Sequence, residues 1–435
     1  MPKIAFMGAG STVFAKNVLG DCLLTESLRD SHIALYDIDP GRLEDSKLML
    51  DTLNANTNEG RAKITAHLGV ENRRKALKGA NYVVNAIQVG GYEPSTVIDF
   101  EIPKKYGLRQ TIGDTLGIGG IFRALRTIPV LLEYCRTIED VAPDALLLNY
   151  TNPMAMVTGA VLRATDVRCV GLCHSVQGCA RWLCRMLELP EDNLHWRIAG
   201  INHQAWLLEI TREGVDLYPE IKRRAQLPEY NHKDAVRFEF MQRFGYYVTE
   251  SSEHNAEYCP WFIKARAPEL IGRFGIPLDE YPRRCIEQIE AWGRMREEVL
   301  HGAQLAHKRS TEYASWIFEA LETGAPFSFG GNVLNTGLIP NLPLSACVEV
   351  LCVADRSGIT PGYAGPLPPQ CAALNLTNIN VHELAIQAAL TRRREHIYQA
   401  ALLDPHTAAE LTIDEIVALC DELIAAHAAY LPEYN

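Results

Sequence analysis

Residues 3–11 read Lys-Ile-Ala-Phe-Met-Gly-Ala-Gly-Ser. The first five form an apolar run of strand length. Gly8-Ala9-Gly10 ends that run and opens a helix with Phe14, Val18, Leu19, Cys22 and Leu23 along one face. Glycines at such a corner permit a tight turn and let backbone N–H groups approach a pyrophosphate, whose charge a helix N-terminus stabilises. Val13 stands where the third glycine of G-x-G-x-x-G would be. A second strand, 32–36 (HIALY), ends at Asp37, 27 residues after Gly10. A carboxylate there suits the adenosine ribose of NAD rather than NADP. Gly8, Gly10 and Asp37 are therefore candidate dinucleotide-binding residues.

Working outward, residues 63–67, 82–87 and 145–149 are further strand candidates. A long helix over 121–139 carries Ile121, Leu125, Ile128, Leu132 and Cys135 in register. Strands alternating with helices predict a parallel, doubly wound α/β sheet. Beyond residue 205 helical stretches dominate (233–246, 281–300, 380–402 and 407–428), interrupted by Gly/Pro-rich segments at 323–345 and 355–370. The expectation is an N-terminal Rossmann-like domain over 1–200 and a mixed, mainly helical C-terminal domain over 201–435 that closes over it.

The composition bounds the function. Of 435 residues, 47% are hydrophobic and 22% charged, with a net charge of −11; these values exclude wholesale disorder and argue against nucleic acid or a membrane surface as partner. No stretch approaches the roughly 20 apolar residues of a membrane span. The N-terminal apolar run is too short for a signal peptide, so the expected location is cytoplasmic. In that reducing compartment the 12 cysteines are expected to be mostly buried apolar filler.

Three polar clusters follow apolar runs: Asn149-Tyr150-Thr151-Asn152-Pro153, Cys173-His174-Ser175 and Asn202-His203. Strand C-terminal ends line the ligand crevice of an open parallel sheet, so these clusters are placed to converge there. A thiolate and an imidazole together can hold a divalent metal with positions open for substrate oxygens. The 30-residue spacing from Cys173 to His203 matches no zinc-finger pattern, and a core cysteine with a backbone-satisfied histidine is the alternative. The glycine-rich stretch Gly113–Gly120 reads either as a second backbone-contact loop or as a helix cap.

The clusters carry a family resemblance. Gly8-Ala9-Gly10-Ser11, Gly90-Gly91-Tyr92, residues 115–120 (TLGIGG), residues 148–153 (LNYTNP), residues 171–175 (GLCHS), residues 200–203 (GINH) and residues 335–343 (NTGLIPNLP) resemble glycoside hydrolase family 4, the NAD- and manganese-dependent glycosidases. Residues 249–262 (TESSEHNAEYCPWF) and 278–288 (LDEYPRRCIEQ) look most like the bacterial α-galactosidases of that family. The resemblance implies NAD+ and Mn2+ (or another divalent metal) as cofactors, and adds Ser11 to the cofactor-binding residues. It implies hydrolysis without net redox: oxidation at sugar C3, loss of the C2 proton to a base, elimination of the aglycone, water addition and re-reduction.

It further implies Cys173 and His203 as metal ligands, and Asn152 and Arg284 as substrate contacts. His174 is the implied proton donor, standing where some members have aspartate. The C2 base stays open among Tyr258, Glu253 and His254, since neither the tyrosine of one branch nor the aspartate of another falls in register. The expected substrate is a short α-galactoside such as melibiose, with α-glucosidase, α-glucuronidase or α-galacturonidase specificity as alternatives. A 2-hydroxy acid dehydrogenase is the more remote one. A homo-oligomer (dimer or tetramer) is expected from the resemblance alone.

Overall fold

The structure, a computed structural model, describes residues 1–300 and 305–435, with the side chains of 298–300 outside the description. β1 (Lys3–Met7), β2 (His32–Asp37), β3 (Lys63–Leu68), β4 (Tyr82–Asn85), β5 (Leu146–Asn149) and β6 (Arg168–Gly171) form a parallel sheet in the order β3-β2-β1-β4-β5-β6. This is the doubly wound dinucleotide-binding order. β1 and β2 are buried over almost their whole length. Helices cover both faces of such a sheet, which is why these strands read as continuous apolar runs rather than alternating ones.

The sheet does not stop at β6. It continues through antiparallel strands: β7 (Leu194–Ile201), β8 (Gln204–Arg212), β9 (Val215–Asp216), β10 (Tyr247–Val248), β11 (Phe327–Leu334), β12 (Cys347–Asp355) and β13 (Gly358–Pro361). The order on that side is β6-β11-β12-β7-β8-β10, with β9 on β8 and β13 on β12. The segments 323–345 and 355–370, read as interruptions, therefore contain or border strands. β7 alternates between half-buried and exposed positions at its start and is wholly buried over Ile198–Ile201, as expected of a strand whose inner end alone is covered on both faces.

Elsewhere the second half is largely helical. The stretches 380–402 and 407–428 are each two helices: Pro369–Thr391 with Arg394–Leu403, and Pro405–Glu410 with Ile413–Ala426. Arg392, with φ of 62°, ends the first of these, and a Thr412–Glu415 capping box starts the last. Helix Pro369–Thr391 packs on Gly117–Val141 and Met154–Ala164, so the C-terminal half clamps the helices of the parallel half.

A buried polar clamp closes this arrangement. Arg126, on the long central helix, donates two hydrogen bonds to Asp99 (3.0 and 2.5 Å), and His427, after the last helix, meets the same carboxylate at 2.8 Å. All three side chains are at most 4% exposed. Removing one partner of such a pair strands a buried charge. Arg126→Met is expected to cost about 3–5 kcal/mol of stability, read as a lowered urea midpoint; an unchanged midpoint would show that the clamp contributes nothing.

Candidate active site at the seam of the sheet

Cys173 lies two residues beyond β6, at the N-cap of the short helix His174–Gln177. Its approach depends on Gly171: a Cβ there would lie 2.5 Å from Met154 Sδ and 2.6 Å from Thr158 Oγ1. His203 occupies the two-residue connection between β7 and β8, and Glu250 follows β10. Both have left-handed backbones, φ 63° and 66°, which non-glycine residues adopt at a cost and which cluster at functional sites. These elements bring Cys173 Sγ to 3.3 Å from His203 Nε2, and Glu250 Oε2 to 4.0 Å from the same nitrogen. One ligand atom from each of the three lies within 4.8 Å of the others. Sequence reasoning missed Glu250. Its signal was an acidic residue two positions after a short apolar strand, at the start of the stretch 249–262.

Eleven of the twelve cysteines are buried; Cys173 is the partly exposed one, and all are free thiols. Burial pushes the Cys173 thiol up to about 12, and the Glu250 and Glu349 carboxylates push the same way against hydrogen bonding with Ser175. Glu250 is held below the ordinary range: burial acts to raise it, and the imidazoles of His254 and His203 outweigh burial. Ionising the thiol beside an ionised Glu250 puts two negative charges in a largely buried site, and only a cation makes that favourable. The donor set of sulfur, imidazole nitrogen and carboxylate oxygen fits a borderline divalent metal with coordination positions left for substrate oxygens. His203 Nδ1 is buried without a hydrogen-bond partner.

The dinucleotide candidates sit together at the C-terminal ends of β1 and β2. Gly8 has φ 87°, and a Cβ there would come within 2.7 Å of Ala86 O, so only glycine lets this loop lie against the turn after β4. Gly10 N–H donates to Asp37 Oδ2 at 2.6 Å, while Asp37 Oδ1 accepts from Ile38 and Asp39 N–H. Ser11 caps helix Thr12–Leu24 without a side-chain capping bond. The glycine cradle and the open helix N-terminus suit a pyrophosphate, and Asp37 stands at the strand end where a ribose carboxylate is needed.

The other candidates divide. Asn152 Nδ2 donates to Asp114 Oδ2 at 3.1 Å, and Asn152 O accepts from Arg123, whose guanidinium also reaches Tyr281 OH at 2.9 Å. Asp114 in turn lies 4.0 Å from His254 Nε2, and the His254 ring packs edge-on to His203 with centroids 4.6 Å apart. Asp114, inside the glycine-rich stretch, was also missed. Arg284 is on helix Glu280–Leu300, 39% exposed, with Glu280 at 2.7 Å and Glu253 at 3.8 Å. It belongs to the outer layer of the cluster. Of the three base candidates, His254 and Tyr258 lie beside His203, Tyr258 at 6.3 Å between ring centroids with its buried hydroxyl unpartnered. Glu253 faces Arg284. The neighbouring Glu257 accepts backbone N–H groups of Thr111, Ile112 and Gly113 and anchors the glycine-rich loop. His174, half exposed, pairs with Glu312 at 2.8 Å.

The sequence pattern described as Family 4 glycosyl hydrolase matches residues 3–189, and that of the Family 4 glycosyl hydrolase C-terminal domain matches residues 198–407. The chain belongs to the family 4 glycosyl hydrolases. Its relatives include an alpha-galactosidase of Bacillus subtilis (strain 168), 62% identical over 436 residues and covering 100% of both chains. An alpha-galactosidase of Rhizobium meliloti (strain 1021) is 36% identical over 99% of this chain and 89% of its own. The solved 6-phospho-beta-glucosidase of Thermotoga maritima with manganese, NAD+ and glucose-6-phosphate shares the fold at a TM-score of 0.80, with 22% identity over 99% of this chain and 100% of that one.

For this family 4 chain the metal set is testable apart from catalysis. Calorimetric titration of Mn2+ into the full chain should show more than tenfold weaker binding, about 1.4 kcal/mol, in each of Cys173→Ser, His203→Ala and Glu250→Gln. Unchanged affinity in any one variant removes that residue from the set.

Proposed function

We propose that this chain is an NAD- and divalent-metal-dependent α-galactosidase that hydrolyses short α-galactosides such as melibiose in the cytoplasm, as a homo-oligomer. The observation that carries the chemistry is the meeting of a Cys-His-Glu set with the C-terminal ends of a dinucleotide-binding sheet. Full-length similarity to the Bacillus subtilis alpha-galactosidase supports the galactoside specificity. Among the described residues no helix is long and apolar enough to cross a membrane.

In this reading residues 1–200 hold the dinucleotide and residues 201–435 complete the substrate side. When bound, NAD+ supplies a hydride acceptor for sugar C3 and the cation offsets negative charge developing on the sugar oxygens. The chain's residues do the rest. Gly8, Gly10, Ser11 and Asp37 bind the dinucleotide. Cys173, His203 and Glu250 hold the cation. Asn152, fixed by Asp114 and Arg123, and Arg284, from the outer layer, bind the sugar. A group on 253–258 takes the C2 proton, with His254 and Tyr258 the two that pack on His203. His174 gives a proton to the departing oxygen; an imidazolium is a competent donor near neutral pH. A dehydrogenase of the malate or lactate kind has no use for the Cys-His-Glu set.

Incubation with 4-nitrophenyl α-galactoside and α-glucoside, with and without NAD+, Mn2+ and a thiol reductant, tests the proposal. Nitrophenol release is expected to require all three additions and to favour the galactoside. Stoichiometric NADH without nitrophenol would overturn the glycosidase reading, and cleavage surviving removal of NAD+ and metal would overturn the redox route.

A further inference from the structure

We propose that Glu312 is the positioning residue for the proton donor: its carboxylate captures His174 Nε2 and so makes Nδ1 the nitrogen that serves the glycosidic oxygen. This rests on the proposed role of His174. The pair is separated by 138 residues, yet Glu312 Oε2 lies 2.8 Å from His174 Nε2. Glu312 is 8% exposed and His174 is 51% exposed, so a fixed, desolvated carboxylate holds an imidazole that opens to solvent. A histidine with one ring nitrogen taken by a carboxylate has its tautomer and ring plane set, which leaves the other nitrogen for proton transfer.

Glu312 is itself held from behind. Its N–H donates to Ser310 Oγ at 3.0 Å. Ser310 donates from Oγ and from N to the two oxygens of Asp21, at 2.7 and 2.9 Å, and His307 Nε2 meets the same carboxylate at 2.7 Å. Asp21 is wholly buried on helix Thr12–Leu24, the helix that opens at the dinucleotide loop. On the other side, Tyr313 OH donates to Cys173 O at 2.7 Å. The rings of Tyr150 and Tyr313 flank His174 at 6.4 and 6.3 Å. Residues 307–313 thus form a strap that fastens the donor to the dinucleotide helix at one end and to the residue before it at the other.

In the step it serves, the C2–H pair becomes the second C1–C2 bond, the C1–O bond breaks, and the aglycone oxygen keeps that bond's electron pair and takes the proton from His174 Nδ1. The C2 proton goes to the base; when water adds, its oxygen bonds C1, its proton returns to Nδ1, and the base gives its proton back to C2 as the second C1–C2 bond is lost. Help of this kind matters for a sugar leaving group, whose alkoxide is a poor one, and little for 4-nitrophenolate.

The test compares kcat/KM for melibiose and for 4-nitrophenyl α-galactoside in the NAD+- and Mn2+-loaded enzyme. Glu312→Gln is expected to lower the melibiose-to-nitrophenyl ratio about tenfold or more. His174→Ala should lower it at least as far, and adding Glu312→Gln to His174→Ala should change it no further. Equal loss on both substrates in Glu312→Gln marks a merely structural role and overturns the inference. So does an unchanged ratio, or a further drop in the double variant. If His174→Ala keeps the wild-type ratio, the donor role itself fails; if it alone lowers the ratio, only the role of Glu312 fails.

Discussion

A thiol, an imidazole and a carboxylate crowded into one pocket is the arrangement on which the rest of this structure depends. Cys173 comes from the parallel half of the sheet, His203 and Glu250 from the antiparallel half, and their ligand atoms lie within 4.8 Å. The sheet joins its halves narrowly at this place. β6 meets β11 at Gly171 opposite Asn332, and β12 meets β7 at Glu349 opposite Gly200. Asn332 Nδ2 spans the seam, donating to Gly171 O and to Glu349 Oε1. Gly171 admits no side chain, so β6 can deliver Cys173 while Met154, Thr158 and Asn332 close around it.

Around this pocket, the buried carboxylates differ in the balance between burial and their charged neighbours. Burial pushes Glu349 up to about 7, with His203 and Asn332 pulling it back. Burial also raises Glu257 to about 7 against three backbone donors. Asp114 is kept below the ordinary range, because Arg123 and His254 outweigh its burial. Glu250 and Asp114, for which the attraction of neighbouring cationic groups outweighs burial, are thus the ones kept ionised. Glu349 and Glu257, for which burial wins, tend toward the neutral acid and spare the pocket further negative charge. That distribution suits a site for one cation and a neutral sugar.

Much of this was legible in the sequence, for physical reasons. β1, β2, β3 and β5 are apolar runs ending at glycine, aspartate or asparagine, and their predicted ranges match within a residue at each end. Cys173 and His203 stood out because each follows such a run, although their spacing fits no local motif. The antiparallel strands were not legible. β11 contains Gly330 and Gly331, which disrupt strand patterning yet are needed, since a Cβ on either would meet Val176 or Cys352 at 2.8 Å. Glu250 was hidden in a polar stretch that also offered Glu253, His254, Glu257 and Tyr258. Glu312 was invisible, because nothing local marks a partner 138 residues away. The breaks at Arg392, in a left-handed conformation, and at Leu411, in an extended one, split stretches that read as single helices.

The central claim is that Cys173 binds a cation as a thiolate. Cobalt substitution in the full chain, without dinucleotide or sugar, addresses it most directly, because a cobalt-bound thiolate has a charge-transfer absorption that imidazole and carboxylate ligands lack. The account predicts this band in the wild-type protein and its loss in Cys173→Ser, with folding intact by circular dichroism. Cobalt bound by the wild type without that band, or an identical spectrum in Cys173→Ser, would contradict it.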